Sequence, residues 1–360
     1  MTLAPMPEVW HHPEAEICGP QIDHAMCTGG KTIRLADGRI MMLYSGPVNP
    51  HNRPPGTCRT YMRTSADECA TWSAEREIIH HPECQAWGGP SLRDHEGALW
   101  VFYLGFYASV WDKATNEPDM DKTRSDLWAA RSLDEGETWG DNQMIFGGYT
   151  GASNDAKVAS SGHIIVPFSY LVPQPGRLVS ACVVSPDGGA TWELGEAIDI
   201  GQQGDHAGAL EPVIVELQDG RIWMLIRTDL GHFLQAFSED HGLSWSEPTP
   251  TQITSPSAPC HIIRLASGRL ALIWNNFGEM STDVRRSALS MALSEDDGQS
   301  WTEPVVCLRA LEAEYPQVSY PCICEISPGE MLVSCNHVLS GWNRAQPVLM
   351  RISEKTLLNS

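Results

Sequence analysis

Positive charge is scarce in this chain of 360 residues, which has 24 Lys and Arg against 45 Asp and Glu and a formal net charge of -21. A field of that sign repels phosphate backbones and anionic lipid surfaces, so the composition argues against nucleic-acid and membrane partners. A site for an anionic ligand would need its own local group of arginines within an otherwise negative molecule.

The sequence also lacks long apolar runs and paired-cysteine motifs. Its densest apolar stretch, residues 99–111, is too short to span a bilayer, and the N-terminal residues show no signal-peptide pattern. The 11 cysteines are an odd number without a C-x-x-C pair, which predicts reduced, core-packed thiols in a cytoplasmic protein. No zinc-ligand spacing, P-loop or dinucleotide glycine pattern occurs, so we predict neither a metal nor a cofactor.

A hairpin pattern is present in six copies: an apolar strand, a tight turn that contains glycine, and a second apolar strand. One copy reads IVELQDGRIWMLIRT at residues 214–228. The copies follow one another at a mean spacing of about 58 residues, which suits blades of four strands. The pattern predicts an all-β, six-bladed β-propeller in which residues 1–360 form a single domain. The turn glycines are Gly38, Gly97, Gly162, Gly220, Gly268 and Gly329.

A second motif, S-x-D-x-G-x-[ST]-W, alternates with the hairpins at residues 132–139, 185–192, 238–245 and 294–301. Asp can accept hydrogen bonds from nearby backbone amides, and Gly supplies a positive φ, so the motif predicts a turn. A fifth copy at residues 65–72 has Cys69 in place of the glycine, and we expect this residue to distort its turn. The last blade has no copy, and its outer strand is expected from residues 347–353 or from the N-terminal segment.

Repeat position also predicts a pocket. Glu211 and Tyr320 each lie nine residues before a turn glycine, and each is followed by proline. Residues at this position converge near the propeller axis, so the two side chains should share one pocket. The same region contains Asp155 in blade 3 and His261 in blade 5.

These turn motifs are Asp boxes, and from about residue 24 onward the chain resembles the sialidase (neuraminidase) superfamily. The resemblance implies a glycoside hydrolase that removes a terminal acidic sugar from a carbohydrate by a retaining mechanism. The resemblance then implies Glu211 as general base, with Arg227 sixteen residues later, both in EPVIVELQDGRIWMLIRT. It also implies a second arginine, Arg286, in RSALSMALSEDDG, and Tyr320 as nucleophile in SYPCICEISPGEM. The two arginines would bind the substrate carboxylate through paired N–H donors.

Two parts of the family pattern are missing from blade 1. No arginine occupies the family's R-I-P stretch, where this chain has His24, and the loop at residues 45–59 contains no acid. Asp155 is a candidate replacement for the general acid, and His206 is a candidate lining residue of the funnel. The residues that could fill the blade 1 side are His24, His51, Arg53 and Arg59.

Two other functions remain open from the residues. A lyase of uronate-containing glycans would use Tyr320 or His206 to abstract a proton while an arginine neutralises the carboxylate. A propeller that binds glycans without catalysis would leave the pairing of Glu211 with Tyr320 without a chemical role.

Overall fold

The computed structural model describes residues 8–20, 22, 25, 32–47, 54–204, 207–276, 286–311, 317–339 and 344–360. Within these ranges the chain forms 28 strands and one short helix. In chain order these elements are β1 (Val9–His11), β2 (Glu16–Ile17), β3 (Thr32–Arg34), β4 (Ile40–Gly46), β5 (Arg59–Ser65), β6 (Arg76–Ile79), β7 (Gln85–Arg93), β8 (Leu99–Ala108), β9 (Trp111–Asp112), β10 (Glu117–Pro118), β11 (Arg124–Ser132), β12 (Gly140–Phe146), β13 (Thr150–Ala152), β14 (Lys157–Val158), β15 (Ile164–Val172), β16 (Arg177–Ser185), β17 (Glu193–Leu194), β18 (Leu210–Glu216), β19 (Ile222–Arg227), β20 (His232–Ser238), β21 (Thr249–Thr254), β22 (His261–Arg264), β23 (Leu270–Trp274), β24 (Ala288–Ser294), β25 (Val305–Ala310), β26 (Gln317–Ser327), β27 (Glu330–Leu339), β28 (Arg344–Ser353) and α1 (Glu354–Asn359).

Apart from β9 and β10, which pair as a two-stranded ribbon, the strands form six antiparallel sheets, which are the six blades of the predicted propeller. Blades 1, 2 and 4 have the strand orders β3-β4-β5-β6, β7-β8-β11-β12 and β18-β19-β20-β21. In blade 3 both β13 and β14 pair with β15, and β16 and β17 follow. Blade 5 is β22-β23-β24-β25 with β1 added, and blade 6 is β26-β27-β28 with β2 added. The all-β, six-bladed prediction is therefore confirmed.

The apolar core is divided among the gaps between neighbouring blades. Six large clusters of buried side chains each join two adjacent blades, and one of them joins blade 6 to blade 1, so the ring is closed. Each central strand packs on both faces, which is why the sequence shows continuous apolar runs rather than strict alternation. Leu99 to Phe102 in β8, for example, are all 0% exposed.

The N-terminal segment supplies the outer strand of the last blade. Glu16 pairs with Arg351 and Ile17 with Met350, so β2 covers the edge of β28. Residues 347–353 lie within β28, the third strand of that blade. The outer strand of blade 6 therefore comes from the N-terminal segment, which was one of the two predicted sources. The pairing of β2 with β28 removes an open sheet edge.

The five Asp boxes form the same turn. In blade 2 the Ser132 hydroxyl accepts the Gly136 amide at 2.8 Å, and the Asp134 carboxylate binds both the amide and the hydroxyl of Thr138. In blade 1 the Ser65 hydroxyl accepts the Cys69 amide at 2.9 Å, so the pattern is unchanged. The expectation that Cys69 distorts its turn was wrong, because Cys69 adopts the left-handed conformation itself, with φ 72°.

Candidate active site

Glu211 and Tyr320 are presented by matching irregularities of two inner strands. The ladder register shifts between Leu210 and Val213 in β18 and between Ser319 and Cys322 in β26. Within these bulges Glu211 has φ 43° and Tyr320 has φ 57°, a left-handed conformation that costs free energy for residues other than glycine. The proline that follows each residue has no N–H to donate, which suits an interrupted ladder.

The two side chains meet between blades 4 and 6. The Tyr320 hydroxyl donates a hydrogen bond of 2.9 Å to Glu211 Oε1, and Arg227 Nη1 donates one of 2.5 Å to Glu211 Oε2. Glu211 is 7% exposed and Arg227 is 5% exposed. The prediction that Glu211 and Tyr320 lie within hydrogen-bond reach is confirmed, and the phenol proton already points at a buried carboxylate that could receive it.

Ser257 joins the two arginines of the site. Its hydroxyl oxygen accepts hydrogen bonds from Arg227 Nε at 3.2 Å and Nη2 at 3.1 Å, and its carbonyl oxygen accepts one from Arg286 Nη2. The guanidinium carbon of Arg286 also lies 5.9 Å from the centre of the Tyr320 ring. Both arginines thus share one wall of the site, as predicted. Ser257 was missed because it lies in a connection between blades, outside every repeat motif.

Burial and charge act together on the titration of this cluster. Burial raises the pKa of Tyr320 above its ordinary value, and the Glu211 carboxylate raises it further, while the two arginines oppose this. Burial would lower the pKa of Arg227, but the charges of Glu211 and Tyr320 outweigh it and raise that pKa. Burial and the nearby Arg227 lower the pKa of Arg286. Tyr320 is therefore a neutral phenol at pH 7 that needs a base to become a nucleophile.

The cluster carries an excess of positive charge. One carboxylate, Glu211, faces two guanidinium groups, Arg227 and Arg286, in a molecule whose total charge is -21. This is the local positive group that an anionic ligand requires. The arrangement can hold an anion beside a phenol whose proton has an acceptor.

Asp155 has a different environment from the one expected of a general acid. It is 0% exposed, and its carboxylate contacts Lys157 Nζ at 2.9 Å and accepts the Ile214 amide at 3.0 Å. A carboxylate enclosed in this way offers no surface to a sugar, so the geometry favours a structural role. Its assignment as the acid stays a prediction.

Arg59 does not join the cluster. Arg59 pairs with Glu77 at 2.5 Å on the outer strands of blade 1, with both side chains 37% exposed. His24, His51, Arg53 and His206 lie outside the described residues. Among the residues that are described, no group of three or more His, Cys, Asp or Glu side chains could hold a metal ion.

A separate cavity of about 790 Å³ lies along the axis and is lined by the inner strands of all six blades. Its walls include Arg93, Lys157, Glu216, Arg264 and Glu325. They include no member of the Tyr320 cluster, which consists of Glu211, Arg227, Arg286 and Tyr320. The candidate active site is therefore located by its convergent polar groups rather than by cavity size.

Comparison with known proteins identifies the family. Residues 80–333 match the BNR repeat-like domain, which is more than half of the chain. The chain belongs to the BNR repeat-like family. A sialidase of Micromonospora viridifaciens is 27% identical over 296 residues, which are 74% of this chain and 43% of that protein. This BNR repeat-like chain thus spans less than half the length of that curated relative.

Solved structures share the fold of this BNR repeat-like protein. A protein of unknown function from Dyadobacter fermentans superposes with a TM-score of 0.72 at 16% identity and covers 96% of this chain and 100% of its own. A Hadza microbial sialidase gives 0.70 at 15% identity, covering 92% and 66%. An intramolecular trans-sialidase from Ruminococcus gnavus gives 0.65 at 16% identity, covering 91% and 94%. The chain therefore has the sialidase fold. In its described part, no helix is long and apolar enough to cross a lipid bilayer.

Proposed function

We propose that this protein is a glycoside hydrolase of the sialidase type, which removes a terminal acidic sugar from a carbohydrate with Tyr320 as its nucleophile. The observation that carries the proposal is the hydrogen-bonded chain from Tyr320 to Glu211 to Arg227, with Arg286 beside the Tyr320 ring. The sialidase relative and the sialidase fold support the same class of substrate.

The proposed reaction begins with attack of the Tyr320 oxygen on the anomeric carbon, while the phenol proton passes to Glu211. The bond to the leaving oxygen breaks, and that oxygen takes up a proton from a general acid. In the second step water attacks the anomeric carbon and gives a proton to the general acid, which is now deprotonated. Glu211 returns its proton to Tyr320 as the tyrosyl bond breaks. A neutral phenol suits this task because a substrate carboxylate would repel a carboxylate nucleophile.

The experiment uses aryl glycosides of sialic acid, other nonulosonic acids and uronic acids, together with a glycan in which the uronate is substituted at O4. Released phenol and reducing sugar report hydrolysis, and the absorbance of an unsaturated uronate reports elimination. We expect hydrolysis of at least one acidic glycoside, and we expect Tyr320→Phe to lower kcat by more than about 10³-fold even on activated substrates. Tyr61→Phe, on the third strand of blade 1, is the matched control and should retain activity.

Three results would contradict the proposal. An active Tyr320→Phe enzyme would exclude the tyrosyl intermediate. Formation of an unsaturated uronate would identify a lyase. Binding to an acidic glycan without turnover on the whole panel would identify a non-catalytic glycan-binding propeller.

A further inference from the structure

A buried pair of residues joins blade 3 to blade 5. Asp155 is 0% exposed and His261 is 1% exposed. His261 Nε2 lies 3.3 Å from Asp155 Oδ1. Asp155 lies two residues before β14, and His261 is the first residue of β22. The pair therefore connects the inner strands of two blades that are separated by blade 4.

Each member of the pair also binds the backbone of a strand that presents a site residue. The Ile214 amide donates a hydrogen bond of 3.0 Å to Asp155 Oδ2, and the Ile323 amide donates one of 3.2 Å to His261 Nδ1. Ile214 is the third residue after Glu211, and Ile323 is the third residue after Tyr320. The two contacts are therefore equivalent in the repeat, and each holds its strand shortly after the bulge.

These contacts fix the orientation of the imidazole. Because Nδ1 accepts the Ile323 amide proton, the neutral ring carries its own proton on Nε2, which faces Asp155. The Asp155 carboxylate is further held by the Ala156 amide and by Lys157 Nζ, both at 2.9 Å. A continuous path of polar contacts thus runs from β26 through His261 and Asp155 to β18.

The bulges need such support. Glu211 and Tyr320 have left-handed backbones, which cost roughly 1–2 kcal/mol for each residue that is not glycine. Such a conformation persists only where the surrounding structure holds it in place. The distance between the Tyr320 hydroxyl and the Glu211 carboxylate then depends on how β18 and β26 are held relative to each other.

We propose that Asp155 and His261 are a positioning pair, which holds the two bulged strands so that Tyr320 stays within hydrogen-bond reach of Glu211. This inference rests on the proposed function, in which that hydrogen bond activates the nucleophile. It gives Asp155 a task different from that of a general acid, and the two tasks have different kinetic consequences. Misplacement of a reacting group by about 1 Å can cost about 10²-fold in rate.

The test compares Asp155→Asn and His261→Leu with wild type on an activated aryl glycoside and a natural glycoside. Loss of positioning should lower kcat by about 10- to 100-fold on both substrates alike, with little change in KM, because Arg227 and Arg286 still bind the carboxylate. The double variant should lose no more than the worse single variant, since both changes break the same link.

Asp94→Asn is the matched control. Asp94 is also buried, and its carboxylate accepts the Glu96 and Ala98 amides and the Trp100 indole N–H in the blade 2 hairpin. This variant should lose stability while kcat stays near that of wild type. His261→Asn, which keeps an acceptor near the Nδ1 position for the Ile323 amide, should recover part of the activity lost in His261→Leu.

Unchanged kcat in both Asp155→Asn and His261→Leu would overturn the positioning role while leaving the hydrolase intact. A loss confined to the natural glycoside in Asp155→Asn would overturn it in favour of a general acid. If wild type hydrolyses no acidic glycoside, the proposed function fails. A crystal structure of the Asp155→Asn/His261→Leu double variant then tests the positioning role by itself. In that structure, a distance between the Tyr320 hydroxyl and Glu211 Oε1 that stays at 2.9 Å would overturn the positioning role.

Discussion

The guanidinium carbon of Arg286 lies 5.9 Å from the centre of the Tyr320 ring. A cation at this distance is attracted by the ring face, and it also stabilises negative charge on the phenol oxygen. Arg286 thus has two uses in the proposed site, since it can pair with a substrate carboxylate and can assist ionisation of Tyr320 as its proton leaves.

Arg286→Lys tests the first of these uses. Lysine keeps the charge but not the planar pair of donors, so the KM for an acidic glycoside should rise by about 10- to 100-fold. Steady-state kinetics on the best substrate of the panel would measure it. Arg269→Lys is the control, because Arg269 pairs with Glu295 away from the site. An unchanged KM in Arg286→Lys would show that this residue does not bind the carboxylate.

Glu211 should matter for stability as well as for chemistry. Glu211→Ala leaves the buried Arg227 without its carboxylate, and such changes cost about 3–5 kcal/mol. The double variant Glu211→Ala/Arg227→Met should be more stable than Glu211→Ala alone, because the uncompensated charge is gone. Urea unfolding of the three proteins gives the comparison. A double variant less stable than the single one would mean that Arg227 is not destabilised by losing its partner.

The Asp box of blade 3 offers two adjacent glycines with different surroundings. A Cβ on Gly189 would lie 2.2 Å from Trp100 Cη2, whereas a Cβ on Gly188 would have nothing within 4 Å. Both residues have positive φ, which is 86° for Gly189 and 66° for Gly188. Gly188→Ala should therefore cost only the backbone strain of about 1–2 kcal/mol, and Gly189→Ala about 3–5 kcal/mol. Equal midpoints in denaturant for the two variants would contradict the predicted contact with Trp100.

His337 should make the fold sensitive to acid. It is 0% exposed, and neither ring nitrogen has a hydrogen-bond partner within the part of the chain that the structure describes. Burial lowers its pKa from 6.5 to about 4. The unfolded chain therefore takes up this proton first, and stability is lost as pH falls from about 6.5 to 4.

The loss attributable to His337 should reach roughly 3 kcal/mol at the acid end of that range. Unfolding free energies of wild type and His337→Leu, measured from pH 7 to pH 4, would isolate it. The wild-type curve should fall more steeply than that of the variant. Parallel curves would show that His337 keeps an ordinary pKa in the folded protein.

The repeats explain why so much of this structure could be predicted. Turn glycines and Asp boxes depend on local backbone chemistry, so each copy predicts its turn from the neighbouring residues alone. Once the period was known, Glu211 and Tyr320 followed from a constant offset within the repeat. Their hydrogen bond was expected from the roles that the resemblance to sialidases implied.

Residues whose roles depend on other blades could not be predicted in this way. Ser257 joins Arg227 to Arg286 from a connecting segment, and Asp155 meets His261 from two blades away. Neither contact has a local pattern in the sequence. For Cys69 the local pattern was given too much weight, since the missing glycine predicted a distorted turn. Cys69 still takes up the left-handed backbone, because Ser65 and Asp67 hold the turn around it.

The pairing of β2 with β28 also sets an order of assembly. Synthesis proceeds from the N-terminus, so Glu16 and Ile17 are made long before β28 and must wait for their partner strand. Until then, blades can stack on one another only as an open arc with two exposed ends. Closure of the ring therefore follows the synthesis of β28, and it joins segments as far apart in the sequence as Glu16 and Arg351.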